Sequence, residues 1–240
     1  MKKAITKSIL LLLLIISIKS SATWSIIIVD PVTKEIGIAG ASCTYSVYGI
    51  GGIVPGKGAM VAQAMSNMVA KAKGLEMIRS GYSPDSILYS IINPQFDPNF
   101  RQQQYGIVSV NYINQPVTFT GGATQGSSGS LTAAGVSIQG NTLANDQVLK
   151  AVFDTVMIAR RKGLSIRETL IKALDTGSQA GGDRRCGKQK ASSAFITVMK
   201  ANDDPKKPYL NLFVSGMGKG GRNAVEVLQS MYGKCMVKNK

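Results

Sequence analysis

Thr23 has the clearest chemical potential in this chain, because residues 1–22 read as a segment that is removed, which would leave Thr23 at the mature N-terminus. Lys2, Lys3 and Lys7 form a positive head, Ile9 to Ile18 is apolar apart from Ser17, and Ser20-Ser21-Ala22 supplies small residues for cleavage. That is the pattern of a secretory signal peptide, and it predicts a secreted or periplasmic protein. A terminal Thr carries a hydroxyl nucleophile together with a free α-amine that can act as its base. The ordinary pKa of such an amine, about 7.7–8.0, leaves a useful neutral fraction near pH 7.

Other chemistry is narrower. The 240 residues contain no His, which removes Ser-His-Asp and Cys-His catalysis and argues against a transition-metal site. None of the three Cys has close ligand spacing to another, and an exported protein favours disulfides over thiolates, so no metal and no cofactor are expected. Counting alone leaves three single pairings open. Gly216-Met217-Gly218-Lys219-Gly220-Gly221 fits G-x-G-x-x-G, but only 19 residues follow it, too few for the next strand and the ribose-binding carboxylate of a dinucleotide fold. It reads as a flexible loop leading into a helix.

The elements that must position Thr23 follow from periodicity. Trp24 to Val29 and Ile36 to Ser42 are short apolar runs joined by a turn begun by Asp30-Pro31, a predicted hairpin. A Gly-rich connection, Gly49 to Gly58, leads to a strand Ala59 to Gln63 and a helix with Met65, Met68, Val69 and Ala72 on one face, ending before Gly81. Ser83-Pro84 opens a second helix, which stops at Asn93-Pro94. Tyr105 to Asn111 and Pro116 to Thr120 form a second predicted hairpin, followed by a polar Gly/Ser-rich loop from Gly121 to Ser130. One further helix carries Leu149, Val152, Phe153 and Val156, and another runs from the capping box Ser165 to Glu168 and closes at Gly177. Strands Ser193 to Met199 and Tyr209 to Ser215 and a helix Asn223 to Met231, with Val225, Leu228 and Met231 inward, complete the chain. Hairpins with separate pairs of helices predict layered α+β with antiparallel sheets.

Removing residues 1–22 leaves 218 residues, enough for one domain with a sizeable core. Four lysines leave with the signal, so the mature chain carries 24 basic against 13 acidic side chains, a formal charge of +11. That excess suggests an anionic partner or substrate. The basic residues are dispersed, with small clusters at Arg160-Arg161-Lys162 and Arg184-Arg185. Nucleic-acid binders concentrate charge and add stacking aromatics, so nucleic acid is not expected. The signal's apolar run falls well short of the roughly 20 residues that span a bilayer, and no later stretch approaches that length, so no membrane span is expected.

Several landmarks, in order, resemble those of a known family: Thr23 followed by an aromatic residue and Ser25, Asp30-Pro31, Gly37, Ala41-Ser42, Gly58 with Gln63, Gly106, Phe119-Thr120-Gly121, Gln139-Gly140-Asn141 and Gly181-Gly182-Asp183-Arg184. Their order and spacing resemble the domain of unknown function 1028 family, over Thr23 to about Met199. The resemblance implies a four-layer αββα sandwich of the N-terminal-nucleophile hydrolase type, with Thr23 at the start of a central strand. It implies Thr23 as nucleophile, Asn141 and then Gln63 as donors to an oxyanion, Asp183 orienting the amine, and Ser42 and Arg184 on the substrate side. A disulfide between Cys43 and Cys186 is implied in the same way. The sequence departs from relatives at Cys43, where many have Lys, and at Gln103, where many have Arg.

The resulting expectation is an exported amide hydrolase acting on a small-molecule or peptide amide, an anionic one in view of the charge, with cell-wall fragments among the substrates that the resemblance suggests. The alternative from another class is a non-catalytic exported binding or assembly protein on the same fold; a surface-binding module acting only through its charge is a third. Whether the chain forms a homo-oligomer stays open.

Overall fold

The apolar run after Thr23 is buried at every position, which a strand achieves only when both faces of its sheet are covered. The computed structural model describes residues 23–238, and the segment read as the export signal lies outside the described residues. In chain order the strands are β1 (Thr23–Val29), β2 (Ile36–Ser42), β3 (Gly51–Val54), β4 (Gly58–Ala64), β5 (Gln103–Ser109), β6 (Val117–Thr120), β7 (Ser127–Ala133), β8 (Val136–Leu143), β9 (Ser193–Met199) and β10 (Leu210–Val214). The helices are α1 (Met68–Arg79), α2 (Pro84–Ile91), α3 (Gln147–Arg161), α4 (Ile166–Gln179) and α5 (Ala224–Lys238).

The strands form two antiparallel sheets, one ordered β10-β9-β2-β1-β8-β7 and the other β3-β4-β5-β6. Alternation along β1 divides its side chains between two cores. Trp24, Ile26 and Ile28 pack with α3, α4 and α5, while Ile27 and Val29 meet Ala59, Val61 and Val108 of the second sheet. A third cluster joins Met60, Ala62, Tyr105 and Ile107 to Ala70 and Ile78 of α1 and Ile87 and Ile91 of α2. The result is an α+β sandwich with helices outside two facing antiparallel sheets. Two glycines permit close approaches: a Cβ at Gly177 of α4 would lie 2.6 Å from Trp24 Nε1, and one at Gly106 of β5 would lie 2.2 Å from Gln139 Oε1.

Several expectations are corrected. The Gly49–Gly58 connection contains β3, and the Gly/Ser-rich stretch ending at Ser130 runs into β7, which pairs with β8. Helix α1 turns a different face inward: Ala70, Gly74 and Ile78 are buried, whereas Met68 and Val69 are exposed and Met65 precedes the helix. The physical reason is close packing, since a Cβ at Gly74 would lie 2.2 Å from Met60 Sδ and only a small-residue stripe lets α1 approach β4. Helix α4 continues through Gly177 to Gln179, and α5 runs past Met231, which faces outward. The caps at Ser83 and Ser165 form as the sequence indicates, the latter as a complete capping box with Glu168.

Candidate active site

Strand register places Thr23 between two partners, opposite Ser42 of β2 on one side and Asn141 of β8 on the other. Thr23 is 2% exposed, and Ser42 and Asn141 are fully buried. The Thr23 hydroxyl donates to Ser42 Oγ at 3.3 Å, and Ser42 Oγ also accepts from Thr44 Oγ1 at 3.1 Å. Ser42 is thus in contact with the candidate nucleophile itself.

Behind Thr23 a buried polar network links the sheets. Ser25 Oγ donates to Gln63 Oε1 at 2.6 Å and accepts from Gln139 Nε2 at 2.6 Å. Gln63 Nε2 donates to Gln104 Oε1 at 2.7 Å and to the Thr23 carbonyl at 3.4 Å. Both amide hydrogens of Gln63 are therefore directed at protein acceptors, and Gln63 braces Thr23 instead of facing an oxyanion. Gln104 is the hub. Its Nε2 donates to Thr120 Oγ1 at 2.8 Å and to the carbonyls of Gly140 and Gly129 at 2.9 and 3.1 Å, which fixes its amide orientation. Its Oε1 must then be the acceptor for Asn141 Nδ2 at 3.2 Å. That orients Asn141 in turn, and it leaves Asn141 Oδ1 buried with no partner among the described residues. An unpaired buried carbonyl beside the candidate nucleophile is costly, on the order of 1–3 kcal/mol, and marks a place where a donor is wanted.

Sequence reasoning missed Gln104. The signal that could have found it is period-two alternation: Tyr105 and Ile107 face the helices, so Gln104 must face the other sheet. Its neighbour Gln103 is buried on the opposite face and donates to Asp97 Oδ2 at 3.2 Å while accepting from Asn67 N at 3.1 Å. Replacing Gln104 by Leu keeps the volume but strands the Gly140 carbonyl and the amides of Gln63 and Asn141. We expect a loss of about 3 kcal/mol in urea unfolding. An unchanged midpoint would show that water satisfies these groups instead.

Asp183 is fully buried, and each of its contacts is charge-assisted. Its Oδ2 accepts from Cys43 N at 2.5 Å and from Arg185 Nη2 at 2.8 Å, and its Oδ1 accepts from Arg185 N at 2.9 Å. The arginine that engages Asp183 is Arg185, while Arg184 forms no ion pair among the described residues. Asp183 fixes the chain just past Ser42, and no contact of it with Thr23 appears among the described residues. Cys43 and Cys186 are joined in a disulfide with Cα atoms 5.6 Å apart, and Cys235 is not in a disulfide.

Backbone strain gathers at the same end of the sheets. Ala64, Ser66 and Thr142 have φ of +68°, +56° and +48°, immediately after Gln63 and Asn141 in two cases. Non-glycine residues in that region cost on the order of 1–3 kcal/mol each and cluster at functional sites. Thr23, Gln63, Ala64 and Ser66 line a cavity of about 100 Å³. A second cavity of about 750 Å³ adjoins it, with Thr44 in the walls of both. Burial raises the pKa of Tyr105 and of Glu35 and lowers that of Lys71, but none of these lines either cavity. Among the described residues no group of three or more His, Cys, Asp or Glu side chains is placed to hold a metal ion, and no helix is long and apolar enough to cross a membrane.

Comparison with known proteins returns a family and a fold. The sequence model of a family described as "Family of unknown function (DUF1028)" matches residues 23–219. No curated protein matches the chain. Among solved structures, protein SPO2555 from Silicibacter pomeroyi, assigned to the same family, is similar with a TM-score of 0.74 and 24% identity, covering 89% of this chain and 86% of that one.

Proposed function

The chain belongs to the DUF1028 family, a family of unknown function, and from that premise we propose that it is an exported amide hydrolase of the N-terminal-nucleophile type, with Thr23 as nucleophile once residues 1–22 are removed. The observation that carries this reading is the placement of Thr23 at the start of a central strand, beside a buried Asn141 carbonyl oxygen that lacks a donor among the described residues. Cleavage before Thr23 would add donor hydrogens at its nitrogen, turning the peptide N–H into an α-ammonium or amine at the strand end adjoining Asn141.

In the proposed reaction the neutral α-amine takes the proton of Thr23 Oγ1 as this oxygen attacks the amide carbon. The carbon–nitrogen bond breaks, and the proton passes from the α-ammonium to the leaving amine. Water then attacks the ester, and its proton returns to Thr23 Oγ1 as the acid departs. Asn141 Nδ2 uses one hydrogen on Gln104, and its second serves the oxyanion. Ser42 steers the nucleophile, since its Oγ accepts the Thr23 hydroxyl proton in the resting arrangement.

The non-catalytic alternative draws on one observation, the near-complete burial of Thr23. The two readings part in one experiment. The secreted protein is sequenced from its N-terminus and treated with a β-lactone, and its intact mass is measured. A start at Thr23 and a gain of one acyl group, absent from Thr23→Ala, support the hydrolase. A different mature start, or equal labelling of both proteins, supports the binding protein.

A further inference from the structure

The larger cavity lies where the strands flanking β1 run on past Thr23. Cys43 and Thr44 follow Ser42, Thr142 follows Asn141, and all three line it. Register therefore puts this cavity at the end of β1 from which the α-amine would project. Its volume of about 750 Å³ falls in the range of small-molecule sites, about 300–1,000 Å³.

Part of its wall is the loop between β10 and α5, which the sequence singles out as a G-x-G-x-x-G stretch. The loop is held in place. Gln189 Nε2 donates to the carbonyls of Gly218 and Arg222 at 2.9 and 3.2 Å, and Gln189 Oε1 accepts from Gly220 N at 3.1 Å. Gly216 N donates to the Tyr45 carbonyl at 2.7 Å, and Met217 N to the Ser192 carbonyl at 3.1 Å. A wall fixed in this way loses little entropy when a ligand arrives.

The charge on the wall has one sign. Arg185 and Lys219 line the cavity, and neither Asp nor Glu does. Arg185 is matched by Asp183 beneath it, so its charge is largely compensated. Lys219 is exposed and forms no ion pair among the described residues. The rest of the lining includes apolar surface from Met217, Tyr45 and the disulfide.

We infer that the cavity binds amides bearing a free carboxylate, the class of N-acyl amino acids with an apolar side chain, and that Lys219 is the residue selecting the carboxylate. The ammonium meets the carboxylate at the loop, the apolar side chain lies against Met217 and Tyr45, and the amide carbonyl points toward Thr23. The choice of amides and this last orientation rest on the proposed role of Thr23; the charge preference does not.

The test therefore reads binding, on the mature protein carrying Thr23→Ala, which cannot turn over the ligand. N-acetyl-phenylalanine and its neutral counterpart N-acetyl-phenylalanine amide are titrated by calorimetry at low salt. The acid is expected to bind about fivefold more tightly, the size of one partly exposed ion pair. Lys219→Met should reduce the acid to the affinity of the amide, and Lys219→Arg should retain most of the preference, with the melting temperature unchanged because Lys219 is exposed. Equal binding of acid and amide, failure of both to bind, or an undiminished preference in Lys219→Met overturns the inference. Each of these outcomes leaves β-lactone labelling of Thr23 untouched. Conversely, a protein that is not labelled but prefers the acid retains this inference and loses the hydrolase reading.

Discussion

Thr23→Ala, in a protein that is otherwise correctly secreted, is expected to lower kcat/KM for an amide substrate by at least about 10⁴-fold, the scale on which removal of a covalent nucleophile acts. Folding should change little, because the substitution deletes only one methyl and one hydroxyl with a 3.3 Å hydrogen bond to Ser42, and leaves the strand pairing with β2 and β8 intact. The companion change is retention of one extra residue before Thr23. It keeps the hydroxyl but converts the amine into a peptide nitrogen that cannot accept a proton, and activity should fall to the same level. Thr23→Ser keeps both groups and should retain partial activity, since the lost methyl affects rotamer preference more than chemistry. The pH profile supplies a sign. The base works as the neutral amine, so kcat/KM should rise with pH through about 7.7–8.0 and then level off. Steady-state kinetics of the four proteins between pH 5 and 9 check this, and full activity in the extended protein would remove the α-amine from the mechanism.

Opening the Cys43–Cys186 bridge is expected to have the largest effect on stability. The bridge spans 143 positions of sequence, and closure of a loop that long restricts the unfolded chain by up to about 5 kcal/mol. That is comparable with the whole stability of many domains, about 5–15 kcal/mol, so the reduced protein should unfold in far less denaturant. The effect should reach the site as well. Cys43 N binds Asp183, Cys186 lies three residues beyond it, and both cysteines wall the larger cavity. The check is guanidinium unfolding of Cys43→Ala/Cys186→Ala against the parent, with thiol titration of the unreduced, denatured protein. One reactive thiol, that of Cys235, is expected. Three reactive thiols, or matching unfolding midpoints, would show that the bridge is absent or idle.

The sequence by itself determined the apolar runs of β1, β2, β4 and β9, the caps at Ser83 and Ser165, and the antiparallel α+β class, because these follow from side-chain periods of two and 3.6 and from local capping. It also singled out Thr23, as the residue that cleavage after Ala22 would leave at the N-terminus, and, through the resemblance, the Cys43–Cys186 pairing that the structure contains. Tertiary structure alone decided the rest. The Gly- and Ser-rich strands β3 and β7 carry no clear period, so they exist only because neighbouring strands take up their hydrogen bonds. The inward face of α1 is set by the close approach of Gly74 to Met60, which favours a small-residue stripe over the more apolar Met68 and Val69. Arg184 and Arg185 are alike in sequence, and only the short turn capped by Asp183 directs the second toward the carboxylate. The orphaned oxygen of Asn141 follows from five contacts at Gln104 drawn from β4, β6, β7 and β8, and long-range contacts of that kind leave no local trace in the sequence.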